Sequence, residues 1–353
     1  MTAPRVMIMA AGTGGHIFPG LAVAGALIER GAEVSWLGTP GGLENRLVPA
    51  AGLALERIRI AGLRGRGVLG WLASPLHVVH AMFQACGVFR RQRPDCVLSM
   101  GGYVAGPGGL MARLMGIPLV IHEQNAIAGL TNRLLRPLAR RALSGFPGVL
   151  REAVHCGNPV REDILALPAP AERAAARSGP LRLLILGGSQ GSAALGRIVP
   201  EALALLPEAT RPEVVHQAGR QHAQTLQAYA QLGVSAEVVE FIDDMALAWG
   251  GADLAICRAG ALTVAELAAA GVAAILVPFP HAVDDHQTAN ARYLADAGAA
   301  WLEPEPGLAP DRLAAMLRSM DRAQLVGMAG KARTLARADA VEQVASACLE
   351  VAA

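Results

Sequence analysis

The 353-residue chain is 53% hydrophobic and 17% charged, which argues for well-filled interiors rather than disorder. That length is more than a single core usually holds and favours two domains. A net charge of +2 argues against a general nucleic-acid binder, and five scattered cysteines (Cys86, Cys96, Cys156, Cys257, Cys348) without a CxxC pair exclude a disulfide framework or zinc cluster. The N-terminus runs straight into a strand-like segment and glycines, without the features of a signal peptide, so a cytoplasmic location is expected.

In chain order, the first half alternates short apolar runs with longer helical patterns. The runs are RVMIMAA, EVSWLG, LERIRI, CVLSMGG, LVIHEQN and ALSGFP. Continuous apolar runs of this kind read as parallel strands covered on both faces by helices. The second half repeats the scheme with LRLLILGG, EVVHQAG, EVVEFI, DLAICRAG, AAILVPFP and AAWLEP. Two Rossmann-like, doubly wound α/β domains are expected. The boundary falls in HCGNPVRED, which sets residues 1–161 as the first domain and 162–338 as the second. Residues 339–353 form a last amphipathic helix with Asp339 as its N-cap, expected to pack back on the first domain.

Between those strands, LGWLASPLHVVHAMFQACGVF (residues 69–89) carries no Asp, Glu, Lys or Arg. Its length would allow a membrane span, but His77, His80 and Gln84 fall on one side and Leu72, Leu76, Val79 and Phe83 form a separate stripe, so it reads as an amphipathic helix. The stripe is expected to pack on the sheet. Arg64 and Arg66 precede the segment and Arg90, Arg91 and Arg93 follow it, a composition that attracts an anionic membrane surface, with Leu69 and Trp71 as the residues facing lipid.

Two strand ends break into glycines: AAGTGGH with Gly12, Gly14 and Gly15, and LGGSQGS with Gly187, Gly188 and Gly191. A strand that passes through glycines into a helix points backbone N–H groups at a ligand and suits a phosphate or diphosphate, although glycines also serve tight strand-to-helix packing. A dinucleotide oxidoreductase is disfavoured, because EVSWLGTP ends in Leu37, Gly38 and Thr39 without the acidic residue that holds a ribose. CRAGALTVAELAAAG offers a third junction. There Thr263 and Glu266 read either as a capping box or as a phosphate seat with a ribose-binding carboxylate. VPFPHAVDDHQTAN lacks metal-ligand spacing, and its Gln287 can donate to and accept from sugar hydroxyls.

The motifs GTGGHIFPGLAVA, GLRGRG, MGGYVAGPGGL, HEQNAIAGLTNR, GNPVRED, GGSQGS, EFIDDM, CRAGALTVAEL and VPFPHAVDDHQTANA stand in the order found in the MurG family, and the chain resembles that family over nearly its whole length. The resemblance implies a glycosyltransferase B-type fold, two Rossmann-like domains facing across a cleft. It also implies inverting transfer of N-acetylglucosamine from UDP-N-acetylglucosamine to the C4 hydroxyl of the muramyl sugar on a polyprenyl-pyrophosphate-linked muramyl-peptide. No cofactor or metal is implied, the UDP-sugar being a substrate.

By resemblance, Thr13, Gly14, Gly15, Asn125, Arg161, Ser189, Ile242, the run Ala261, Leu262, Thr263, Val264, Ala265 and Glu266, and Gln287 contact the donor. Ile242 meets the uracil, Glu266 the ribose, Ser189 and the helix near Thr263 the diphosphate, and Gln287 the sugar. Arg161 helps to stabilise the departing diphosphate. For the base we expect His16, at a helix start whose dipole disfavours the imidazolium, with Glu123 of HEQN as the alternative.

A peripheral position on the cytoplasmic face of the inner membrane, and cell-wall synthesis or division proteins as further partners, are also implied. The chain departs from the commoner pattern at Ala11 for glycine, at Ala259 for serine, and in a 281–287 loop one residue longer, in which His286 replaces the first of two amides. Two alternatives stay open: another B-type UDP-sugar enzyme, such as a glycolipid glycosyltransferase or a UDP-sugar epimerase, and a non-catalytic nucleotide-sugar-binding subunit.

Overall fold

The computed structural model describes residues 3–60, 68–188 and 190–353, and of residues 68–75 the backbone alone. The chain divides into two compact units, residues 1–160 with 337–353, and residues 161–336.

Among the described residues, unit 1 carries seven strands: β1 (Arg5–Ala10), β2 (Glu33–Gly38), β3 (Ala54–Arg57), β4 (Cys96–Gly101), β5 (Leu119–Glu123), β6 (Arg141–Ser144) and β7 (Val154–His155). They form one sheet in the order β3-β2-β1-β4-β5-β6-β7, and the pairings are parallel. The two-residue edge strand β7 lies where the sequence shows only a domain boundary; it is too short to leave a periodic signal.

Side-chain alternation along β1 builds two cores from one strand. Val6, Ile8 and Ala10 join a cluster with Val23, Leu27 and Trp36, and with Val344, Ala345 and Cys348 of the last helix, Ala340–Ala352. Met7 and Met9 join the opposite cluster with Ile121, Leu135, Val88 and Phe89. Asp339 stands at the N-cap position of the last helix, but its carboxylate accepts from the Gln343 side chain (2.7 Å) rather than from a helix N–H.

Unit 2 carries β8 (Arg182–Leu186), β9 (Glu213–Gln217), β10 (Glu237–Val239), β11 (Leu254–Cys257), β12 (Ala273–Leu276) and β13 (Ala300–Leu302). Their order is β10-β9-β8-β11-β12-β13, again parallel. Its core gathers Ile185, Leu195, Val199, Tyr229, Ile256, Ile275 and Leu313.

The helix Val68–Gln92 corrects one expectation. Its inward face is Ala81, Ala85, Val88 and Phe89, whereas Leu76 (74% exposed), Val79 (47%) and Phe83 (69%) face outward. The helix packs on the helix Ala105–Leu114, and the alanines allow that close approach while the larger apolar groups are left outside. Arg64 and Arg66, and the side chains of Leu69, Trp71 and Leu72, lie outside the described residues. No helix among the described residues is long and apolar enough to cross a membrane.

Candidate active site

Both sheets reverse strand order once, β1 against β4 in unit 1 and β8 against β11 in unit 2. Loops leaving the carboxyl ends of strands at such a reversal are where doubly wound sheets hold ligands. The two glycine turns follow β1 and β8, and the CRAG turn follows β11.

In unit 1, Gly12 adopts φ +98°, a conformation that only glycine takes without strain, and turns the chain into the helix Gly14–Glu29. Thr13 is the N-cap by position, yet among the described residues its hydroxyl makes no capping hydrogen bond, and Thr13 and Gly15 at this helix start are exposed. Glu44, absent from the sequence reading, locks the turn from behind. Fully buried, its carboxylate accepts from Gly12 N–H (3.1 Å), Thr39 N–H (2.9 Å) and the Thr39 hydroxyl (2.7 Å). A Cβ at Gly42 would collide with that carboxylate, so the glycines around GGLEN were the available signal.

His16 is half-buried, with Nδ1 3.1 Å from Gln124 Oε1. Its ring lies against Gly101, where a Cβ would stand 2.9 Å from both Nδ1 and Cε1. Glu123 is buried, and its oxygens accept from Asn125 N–H (3.0 Å), Gly129 N–H (3.0 Å), Asn125 Nδ2 (3.4 Å) and Asn132 Nδ2 (2.9 Å). With both oxygens engaged, it anchors the loop that carries Asn125.

In unit 2, the helix Ala261–Ala270 begins two residues before Thr263. Gly260 is the N-cap, no side chain caps it, and Thr263 is already inside the first turn, so the capping-box reading is overturned. Glu266 Oε2 instead accepts the indole N–H of buried Trp249 (3.1 Å). Desolvation pushes the Glu266 carboxyl above its ordinary pKa, against the opposing pull of Trp249 and then of the Arg161 charge. Arg161 precedes the short helix Glu162–Leu165, which packs on the Glu266 helix, and forms a long ion pair with Asp163 (3.9 Å).

Arg258 organises the surrounding loops. It donates to Ser192 Oγ (2.7 Å), the N-cap of the helix after the second glycine turn, and to the carbonyls of Val277 (3.2 Å) and Pro278 (3.3 Å), and it pairs with Glu305. Gln217 ties that glycine turn to the Ile242 loop, donating to Gly188 O (3.2 Å) and Glu240 O (3.0 Å). Ile242 is half-buried; Ser189 lies outside the described residues.

Gln287 accepts Phe279 N–H through Oε1 (2.9 Å), leaving its amide nitrogen as the donor. The lengthened loop before it is taken up by Asp284 and Asp285, both left-handed (φ +53° and +52°), an arrangement that Asp tolerates better than most residues. Ala261 and Val264 are buried, so these two can approach a ligand only through their backbone, while Leu262, Thr263, Ala265 and Glu266 are half-buried. Among the described residues no group of three or more His, Cys, Asp or Glu is placed to hold a metal ion.

Comparison with known proteins agrees with this architecture. Residues 6–144 match the glycosyltransferase family 28 N-terminal domain and residues 182–344 the family 28 C-terminal domain. A Bordetella petrii protein named UDP-N-acetylglucosamine--N-acetylmuramyl-(pentapeptide) pyrophosphoryl-undecaprenol N-acetylglucosamine transferase is 58% identical over 100% of this chain and 99% of its own. The chain belongs to the MurG family. A Bordetella pertussis member of the same name is 59% identical over the same shares. The crystal structure of Acinetobacter baumannii MurG superimposes with a TM-score of 0.85 at 45% identity, over 98% of this chain and 99% of that one. The glycotransferase of kitacinnamycin, at 19% identity and a TM-score of 0.70, shares the fold.

Proposed function

We propose that this chain transfers N-acetylglucosamine from UDP-N-acetylglucosamine to the C4 hydroxyl of a polyprenyl-pyrophosphate-linked muramyl-peptide, with inversion at the anomeric carbon. The observation that carries the reading is the full-length likeness, at more than half identity, to relatives bearing that transferase name.

The reaction makes one bond and breaks one. The acceptor oxygen attacks the anomeric carbon, the bond from that carbon to the diphosphate oxygen breaks, and UDP leaves with the electron pair. The hydroxyl proton passes to a base, for which His16 is our choice; Glu123, with both oxygens engaged, is the weaker candidate. The departing diphosphate is stabilised by the glycine-turn and helix N-terminal N–H groups and by Arg161. Thr13, Gly14, Gly15 and Asn125 add donor contacts, Ser189 and the start of the Ala261–Ala270 helix hold the diphosphate, and Ile242 meets the uracil. Glu266 accepts from the ribose hydroxyls, and the Gln287 amide nitrogen donates to the sugar.

We also propose that unit 1 meets an anionic membrane surface through its outward apolar residues. Leu76, Val79 and Phe83 are joined by exposed Leu114 and Leu134 on the neighbouring helices Ala105–Leu114 and Leu130–Leu135. Exposed Arg90, Arg113 and Arg133 accompany them, the mixture of apolar and basic groups that anionic lipid attracts.

Release of UDP from UDP-N-acetylglucosamine, followed with and without the lipid-linked muramyl acceptor, tests the reaction. Release that depends on this acceptor is expected. Equal release without it, or none with it, would remove the transferase reading.

A further inference from the structure

His16 is the last member of a hydrogen-bonded series in unit 1 whose proton positions can be deduced one from the next. At the far end, His122 on β5 is fully buried, with Nε2 2.9 Å from the Gly157 carbonyl oxygen. A carbonyl only accepts, so the proton is on Nε2. Burial pushes His122 down to about 4, so the ring is neutral near pH 7 and its Nδ1 is an acceptor.

That Nδ1 lies 3.1 Å from Gln124 Nε2, which is also 3.2 Å from the carbonyl oxygen of His122. Two acceptors therefore face one end of the amide, which fixes that end as the NH2 group and settles the orientation on chemical grounds. Asn158 holds the Gln124 backbone, donating to its carbonyl oxygen at 3.0 Å. The opposite end, Gln124 Oε1, is then the atom 3.1 Å from His16 Nδ1. Since Oε1 only accepts, His16 Nδ1 must donate. A neutral imidazole protonated at Nδ1 has its lone pair on Nε2.

We propose that His122 and Gln124 are positioning residues that hold His16 as its Nδ1–H tautomer, so that Nε2 is the atom that receives the proton of the acceptor hydroxyl. The first half of this statement concerns hydrogen bonds inside unit 1 alone; the second rests on the reading of His16 as the base. Gly101 leaves room for the ring in this position, since a Cβ there would stand 2.9 Å from both His16 Nδ1 and Cε1.

The experiment is a long-range proton–nitrogen correlation spectrum of the full chain labelled with 15N-histidine, with resonances assigned through His16→Ala and His122→Asn. Expected for the neutral form of each ring are a pyrrole-type Nδ1 and a pyridine-type Nε2 for His16, and the reverse for His122. Gln124→Met keeps side-chain length but removes both polar ends. It should move His16 to a mixture of tautomers and lower kcat by ~10-fold to 100-fold with the donor KM unchanged. Gln124→Glu can still accept from His16 Nδ1 but sets an oxygen against the two His122 acceptors, so it should restore the His16 tautomer and part of kcat while shifting the His122 ring-nitrogen signals.

A neutral His16 ring that carries its proton on Nε2 in the unmodified chain overturns the proposal. So does a His16 tautomer that is the same in Gln124→Met as in the unmodified chain. If Gln124→Met does not fold, the spectra of the unmodified chain and of Gln124→Glu decide. The expected tautomers together with full kcat in His16→Ala would remove the base role and leave the positioning intact, so the two failures are distinguishable.

Discussion

At the scale of single residues, the polar groups around the turns divide into those that hold loops and those left to meet a ligand. Glu44 and Glu123 spend their oxygens on backbone and side-chain amides, and Arg258 is enclosed by carbonyls, Ser192 and Glu305. Glu266 differs, since one indole N–H is the hydrogen bond that restrains it. Its raised pKa has a definite sign for stability. A carboxyl whose folded pKa lies above its unfolded one is stabilising below the unfolded pKa, and that contribution is lost as pH rises through the folded value. Above that window, burying the charged form works against folding. Glu266→Gln removes the charge and keeps an oxygen for Trp249. Its melting temperature at pH 7 to 8 should therefore equal or exceed that of the unmodified chain, while the KM for UDP-N-acetylglucosamine rises by roughly 10-fold, the size of one charge-assisted hydrogen bond. Calorimetry and donor-saturation kinetics check both halves; an unchanged KM in a stable variant would leave Glu266 as a partner for Trp249 alone.

At the scale of elements, the apolar runs of the sequence became strands because a parallel strand covered on both faces needs no polar alternation, and glycine or proline marks where it stops. Helix faces were harder to read. The stripe Leu72, Leu76, Val79 and Phe83 has helical spacing, but spacing shows only that a face is apolar and not what it meets. Ala81 and Ala85 took the inward positions because helix-to-helix approach rewards small side chains, a preference that hydrophobicity alone does not rank. The start of the Ala261–Ala270 helix misled for a similar reason, since Gly260 can serve as N-cap without any side-chain hydrogen bond. The outward stripe offers exposed side chains on which the membrane reading can be tested. Replacing Leu76 and Phe83 by Ser should weaken sedimentation with vesicles containing anionic lipid by ~10-fold to 100-fold, given about 1.5–3 kcal/mol for full burial of each side chain and only partial insertion. Because both are exposed, thermal stability should hold. Undiminished sedimentation would place the membrane face elsewhere on the chain.

At the scale of the whole molecule, the sequence carried the count and kind of domains better than the wiring of the site. Glu44 reaches Gly12 across 32 residues and Gln124 reaches His16 across 108, separations that sheet order sets and no local pattern records. The same topology makes the two units unequal in their dependence on the chain end. Unit 2 is continuous in sequence and encloses its own core. Unit 1 needs the return of residues 337–353, since Val344, Ala345 and Cys348 fill a cluster with Val6, Ile8, Val23 and Leu27. Without the last helix those side chains face water, and the loss of Val344 alone removes about 1.5–3 kcal/mol of burial. A chain ending at Asp339 should therefore lose hydrogen-exchange protection in β1 and β4 while β8 and β11 keep theirs, as read by mass spectrometry of peptides from each strand. Equal loss in all four strands would mean that the two units unfold as one, and full protection in β1 and β4 would mean that the helix covers a core able to stand without it.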